Sequence, residues 1–212
     1  MIEIDLHLTR DDVVMITHDE SLARLGGVGE VAHCGAEQIR ALDAGSGQRI
    51  PTLDEVLGAF GPLIPFNLEI KWGTDGEYAG LEAAALESVE SHGLLERTLF
   101  SSFSDSVLER LRALSSAARI ALLVQPLTAE RGVERALQLG AEALNPWLGL
   151  CNSELVGSAR ASGLALYPYT VNTRGEMRRL MELGVDGMFT NYPDLLRSLV
   201  DSSEDGGQNH GR

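Results

Sequence analysis

Glu3 and Asp5 stand two residues apart in the apolar, β-branched run Ile2–Leu8, and His7 continues the same period. Alternate residues of a strand share a face, so all three side chains point one way. Two carboxylates on one inward strand face are costly unless something neutralises them. A divalent cation is a natural partner, because Ca2+ and Mg2+ take oxygen ligands. For Glu-x-Asp alone, a solvated strand edge is an equal reading. His18-Asp19-Glu20 closes the next apolar run, Val13–Thr17. A histidine near a cation-bound phosphate can give or take a proton, although a single histidine at a strand end is often structural. Glu69-Ile70-Lys71 ends a third run, Phe66–Lys71, with Glu69 and Lys71 on one face. Glu69 could complete an oxygen-rich cation site and Lys71 could meet a phosphate oxygen; an inward ion pair is the plainer alternative. Trp147 and Tyr169 close two later runs, where each could wall a pocket or simply pack.

These residues need strand ends that meet. Further strand-like runs are Thr98–Ser102, Arg119–Val124, Ala143–Asn145, Leu164–Val171 and Gly187–Thr190. Between the runs lie amphipathic stretches at Leu53–Phe60, Tyr78–His92, Ser106–Leu114, Glu130–Leu139, Glu154–Ala161, Gly175–Leu183 and Pro193–Val200. Their apolar residues recur at three- and four-residue spacing. Thr52…Glu55 and Thr173…Glu176 are capping-box patterns, and Asn152 or Ser153 can cap the helix that follows. Alternation of strand and helix predicts a parallel sheet. No Gly-x-Gly-x-x-Gly turn follows an early strand, so a barrel is favoured over a dinucleotide fold. The link Leu8–Val13 is too short for a crossover helix, so Ile2–Leu8 and Val13–Thr17 should form a hairpin. Seven runs then remain in the parallel series, where a barrel needs eight.

Composition bounds the partners. The chain has 212 residues, which suits one domain, and 44% of them are hydrophobic. Lys and Arg number 17 against 31 Asp and Glu, a net charge of −14. So acidic a surface repels phosphate backbones, which argues against nucleic acid and anionic membranes as partners. No apolar run is long enough for a membrane-spanning helix. Two cysteines, Cys34 and Cys151, are too few for a disulfide framework. The polar, glycine-rich segment 201–212 reads as a disordered tail, leaving 1–200 as the domain.

Taken together, Ile2-Glu3-Ile4-Asp5-Leu6-His7-Leu8-Thr9, His18-Asp19-Glu20, Ile50-Pro51-Thr52-Leu53 and Leu68-Glu69-Ile70-Lys71 resemble the glycerophosphodiester phosphodiesterases. The likeness continues through Ser101-Ser102-Phe103, Asn145-Pro146, Tyr169-Thr170-Val171-Asn172 and Asp186–Pro193, in order, to about Leu196. The resemblance implies an α/β fold, a (β/α)8 TIM barrel with a β-hairpin insertion. It implies hydrolysis of small glycerophosphodiesters to glycerol 3-phosphate and an alcohol, in lipid and glycerol metabolism. It implies that Glu3, Asp5 and Glu69 hold Ca2+ or Mg2+, that His18 is one of two catalytic histidines, that Lys71 lies near the phosphate, and that Tyr169 lines the glycerol side, where the family often has Trp. In the implied mechanism a glycerol hydroxyl attacks first and water opens the resulting cyclic phosphate. The family opens with a strand ending in His-Arg, a Pro-Glu-Asn loop and a helix, and the sequence has no counterpart of these. The expectation is therefore a barrel incomplete by its first strand–helix unit, through a start placed late. The alternative is a catalytically impaired cation- or ligand-binding remnant lacking one histidine and the phosphate arginine. A cytoplasmic location is expected, and the sequence leaves the oligomeric state open.

Overall fold

The structure, a computed structural model, describes residues 1–206. The chain forms two compact units, Met1–Ala121 and the residues from Leu122 onward. The first contains β1 (Ile2–Leu8), β2 (Val14–Ile16), α1 (Ala36–Arg40), α2 (Leu53–Phe60), β3 (Phe66–Ile70), β4 (Trp72–Gly73), β5 (Gly76–Glu77), α3 (Leu81–Ser91), β6 (Thr98–Ser102) and α4 (Asp105–Leu114). Strand β7 (Arg119–Val124) carries the chain onward. The second unit continues with α5 (Gly132–Leu139), β8 (Ala143–Pro146), α6 (Ser153–Ala161), β9 (Ala165–Leu166), α7 (Arg174–Leu183) and α8 (Pro193–Gly206).

In the first unit, β1 pairs antiparallel with β2 through Leu6↔Ile16, His7↔Met15 and Leu8↔Val14, the expected hairpin. On its other edge β1 runs parallel to β3, with Glu3 opposite Asn67 and Asp5 opposite Glu69. Strand β6 then pairs parallel with β3 and sets Ser101 opposite Glu69. All five residues of β3 and all five of β6 are buried. Burial on both faces is what parallel strands covered by helices require, and Leu68 and Phe100 are fully enclosed. The capping box at Thr52 forms: its hydroxyl accepts from Glu55 N, and Glu55 Oε2 accepts from Thr52 N at 3.0 Å. Arg40 clamps the same carboxylate with two hydrogen bonds.

In the second unit, β8 and β9 pair parallel. The strand expected over Leu164–Val171 is regular only at Ala165–Leu166, although Tyr167 N and Tyr169 N still donate to Leu144 O and Pro146 O. The run Gly187–Thr190, expected as a strand, lies beside it without forming one. Phe189 donates to Pro168 O and accepts from Val171 N, but Pro168 brings no N–H to that side, so the ladder has a gap. Asn152, rather than Ser153, caps α6 by accepting from Leu155 N. Gly140 and Gly184 end α5 and α7 at φ of +67° and +80°, where a side chain would be strained. Helix α8 extends to Gly206, so the segment expected as a tail starts as helix; residues 207–212 lie outside the described residues. No helix among the described residues is long and apolar enough to cross a membrane.

Leu68 lies on β3 next to Glu69 and is fully buried. Leu68→Ala is expected to cost about 2–5 kcal/mol of stability, read as a lower urea midpoint at unchanged slope.

Candidate active site

The pairing of β1 with β3 turns a sequence pattern into a cluster. Because Asp5 stands opposite Glu69 in a parallel ladder, their side chains project from the same face. Glu3 joins them from one pleat earlier, and carboxylate oxygens of Glu3, Asp5 and Glu69 lie within 4.8 Å of one another. Lys71 Nζ reaches Asp5 Oδ1 at 3.2 Å and Glu69 Oε1 at 2.9 Å. One ammonium thus bridges two of the acids, and its charge also reaches Glu3. Burial alone would push the Lys71 pKa down, but the Glu69 and Asp5 charges outweigh it and raise it, so Lys71 stays charged. Glu69 is pushed up, by burial first; Lys71 opposes this and Asp5 adds to it. Glu3 is pushed up to about 8 by burial, then by the Asp5 and Glu69 charges. Glu3 is an exposed residue as a whole, and its carboxyl end lies against the other two acids.

The donor set fits a divalent cation. All three groups offer oxygen, as Ca2+ and Mg2+ prefer, and the negative charge exceeds what Lys71 balances. A second feature agrees. Asn67, opposite Glu3 on β3, is buried and donates through Nδ2 to Ser101 Oγ at 2.8 Å. Its Oδ1 is buried without a hydrogen-bond partner. A buried carbonyl left in this way is costly, and a cation-bound water beside the acids would satisfy it.

His18 follows β2 in an exposed turn of the same unit. Its ring Nδ1 is 2.7 Å from Asp19 Oδ1, and Asp19 Oδ2 accepts from Arg24 at 3.0 Å. A carboxylate oxygen only accepts, so Nδ1 carries the proton and Nε2 is left for other chemistry. The side chain is 74% exposed. His7, two residues beyond Asp5, is instead buried, with Nδ1 against the Tyr78 hydroxyl and Nε2 towards the His18 carbonyl; burial first, opposed by its bond to the His18 backbone, lowers its pKa.

Four of the expected residues therefore come together: Glu3, Asp5, Glu69 and Lys71. Tyr169 belongs to the second unit, where it is half-buried and its hydroxyl donates to Val124 O at 3.1 Å. Trp147 lies in that unit also, 42% exposed and bridged to Tyr169 through the backbone. Asp19 as the partner of His18 was available from adjacency alone. Tyr78, which bonds His7 across 71 residues, had no signal in spacing.

The raised Glu3 pKa makes a signed prediction. The folded protein holds this proton more tightly than the unfolded chain, whose carboxyl titrates near 4.5. The contribution therefore favours the fold at low pH and is lost as the pH rises towards about 8. Glu69 acts in the same sense. His7, lowered from 6.5, works the other way below that pH, and Glu55 and Glu77 titrate near 2, held there by Arg40 and by Ser104. Between pH 6.5 and 8 the stability of the cation-free protein should fall, and Glu3→Gln should flatten the fall. Added Ca2+ or Mg2+ should restore stability at the upper end, as a ligand of the native state does. Urea titrations with and without cation check both.

The chain is similar to known proteins over most of its length. The family model described as the glycerophosphoryl diester phosphodiesterase family matches residues 1–195. A glycerophosphodiester phosphodiesterase of Caldanaerobacter subterraneus subsp. tengcongensis is 34% identical over 94% of this chain and 85% of its own. One from Bacillus subtilis is 33% identical over 93% of this chain and 75% of its own. A solved Oleispira antarctica phosphodiesterase in complex with the product sn-glycerol-3-phosphate aligns at a TM-score of 0.82 and 28% identity, over 94% of this chain and 84% of that one. Strand–helix alternation, parallel ladder and hairpin are thus those of an α/β barrel of this group, and an enzyme that hydrolyses glycerophosphodiesters is the activity they share. The chain belongs to the glycerophosphoryl diester phosphodiesterase family.

Proposed function

We propose that Glu3, Asp5 and Glu69 hold a divalent cation, Ca2+ or Mg2+, against the phosphate of a small glycerophosphodiester, and that His18 and Lys71 serve its hydrolysis. The convergence of three carboxylates within 4.8 Å carries this reading. When bound, the cation supplies Lewis-acid polarisation of the phosphate, worth several kcal/mol of barrier. Lys71 Nζ, now shared between Asp5 and Glu69, turns to a phosphate oxygen as a point charge. His18 moves the proton at Nε2, because Asp19 holds Nδ1 and fixes the ring. The P–O bond to the alcohol breaks, the alcohol takes a proton, and water ends as the new oxygen on glycerol 3-phosphate. In the second unit the Tyr169 ring is fixed by its hydroxyl bond to Val124 O.

The same reading treats 1–200 as the catalytic domain, since the family match reaches residue 195. We assign the enzyme to the cytoplasm and to the turnover of lipid-derived glycerophosphodiesters.

Release of glycerol 3-phosphate from glycerophosphocholine tests the assignment. His18→Ala should lower kcat about 10²–10⁴-fold, the usual contribution of a positioned acid or base. Glu69→Gln should raise the cation concentration needed for half-maximal rate. Turnover unaffected by EDTA, or full activity in His18→Ala, would sink the corresponding role.

A further inference from the structure

His7 shares the strand face of Glu3 and Asp5 but does not join their cluster. Its Nδ1 lies 2.7 Å from the Tyr78 hydroxyl, and its Nε2 lies 3.4 Å from the backbone oxygen of His18. The rings of His7 and Tyr78 meet edge to face, with centroids 5.6 Å apart. A carbonyl oxygen only accepts, so Nε2 carries the proton. In the neutral ring Nδ1 then accepts, and Tyr78 must donate to it. Tyr78 has two acceptors within reach, His7 Nδ1 at 2.7 Å and Glu20 Oε1 at 3.4 Å; the shorter contact takes the proton. Burial first, and then the Glu20 charge, raise the Tyr78 pKa, so the hydroxyl keeps its hydrogen.

This chain of contacts grips the turn that carries His18 from both ends. On one side Thr17 N donates to Asp5 O at 3.2 Å, and His7 holds the next carbonyl along. On the other side Glu20 Oε2 accepts from Thr74 N at 2.5 Å and from Thr74 Oγ1 at 2.7 Å. Thr74 belongs to the tight link between β4 and β5, and Tyr78 follows β5 directly. The hairpin β4–β5 thus supplies both Tyr78 and Thr74. Gly73 packs so closely beneath Glu20 that a Cβ there would overlap its carboxylate oxygen.

We propose that His7 and Tyr78 are positioning residues for His18: Tyr78 fixes His7 as the Nε2–H tautomer, and His7 holds the His18 carbonyl so that the ring is presented in one place. This rests on the role assigned to His18 above. Both act through His18, by contacts within the protein. A fixed backbone at His18 matters because a misplacement of about 1 Å can cost about 10²-fold in rate. Asp19 orients the ring and His7 orients the residue that bears it.

Two measurements on the whole chain test this. Imidazole 15N spectra report the tautomer of His7 directly. The expected result is a protonated Nε2 and an accepting Nδ1 in the wild type, with loss of that single state in Tyr78→Phe. A His7 protonated at Nδ1 in the wild type would overturn the proposal. The second is kinetics with hydrogen exchange. His7→Leu, which keeps bulk but cannot donate, should lower kcat by up to about 10²-fold at near-constant KM, and should speed amide exchange at residues 17–20. His7→Gln, which can both donate to His18 O and accept from Tyr78, should recover most of the rate and of the protection. His7→Leu with unchanged exchange at 17–20, or a Gln variant no better than Leu, would overturn it. His18→Ala separates the two ideas. If that variant stays active while the His7 tautomer is as expected, the acid–base role of His18 fails and the hydrogen-bonded arrangement stands.

Discussion

Three acids compete for one ammonium, and much of the first unit is arranged around that imbalance. Isolated, buried carboxylates would take protons or recruit water. Here the parallel register of β1 and β3 forces Asp5 and Glu69 face to face, and Glu3 is drawn in beside them. Neither sliding the strands by one residue nor inverting a side chain is open to the fold. A one-residue slip of either strand would turn its leucine, Leu6 or Leu68, onto the face of the acids and its acids onto the face of the leucines. The apolar face therefore pins the polar one, and the energy of core packing holds like charges together.

The cluster and its counter-ion were legible because alternation in a strand is a strict period. Glu3, Asp5 and His7 share a face by parity alone, and so do Glu69 and Lys71. Which strands would lie side by side followed from the hairpin and from the alternation of elements. What parity could not say was that His7 would part company with Glu3 and Asp5. It lies where β1 has already passed into the hairpin with β2, opposite Met15, and there its ring nitrogens meet the Tyr78 hydroxyl and the His18 carbonyl.

Tyr78 was hidden for a different reason. It was read as the start of an amphipathic helix, Tyr78–His92, but the helix begins only at Leu81, after Gly80 at φ +94°. Before it come two strands of two residues each, too short for any period to register. Likewise the gap left by Pro168 kept Gly187–Thr190 from becoming a regular strand, though its apolar pattern resembled the others. Short polar links and single missing donors decide such details, and neither leaves a periodic trace.

The overlap at Gly73 has an evolutionary meaning. The oxygen a side chain would strike is Glu20 Oε1, at the end of a group normally free to swing aside, but here the carboxylate is moored through its other oxygen, Oε2, to Thr74. Sequence drift in the turn after β2 and in the β4–β5 link is therefore not independent. A homologue that replaces Gly73 must also shorten, remove or re-aim Glu20, and with it the anchorage of the histidine two residues earlier. These two surface loops, far apart along the chain, should change as a pair in descendants of this protein or remain frozen together.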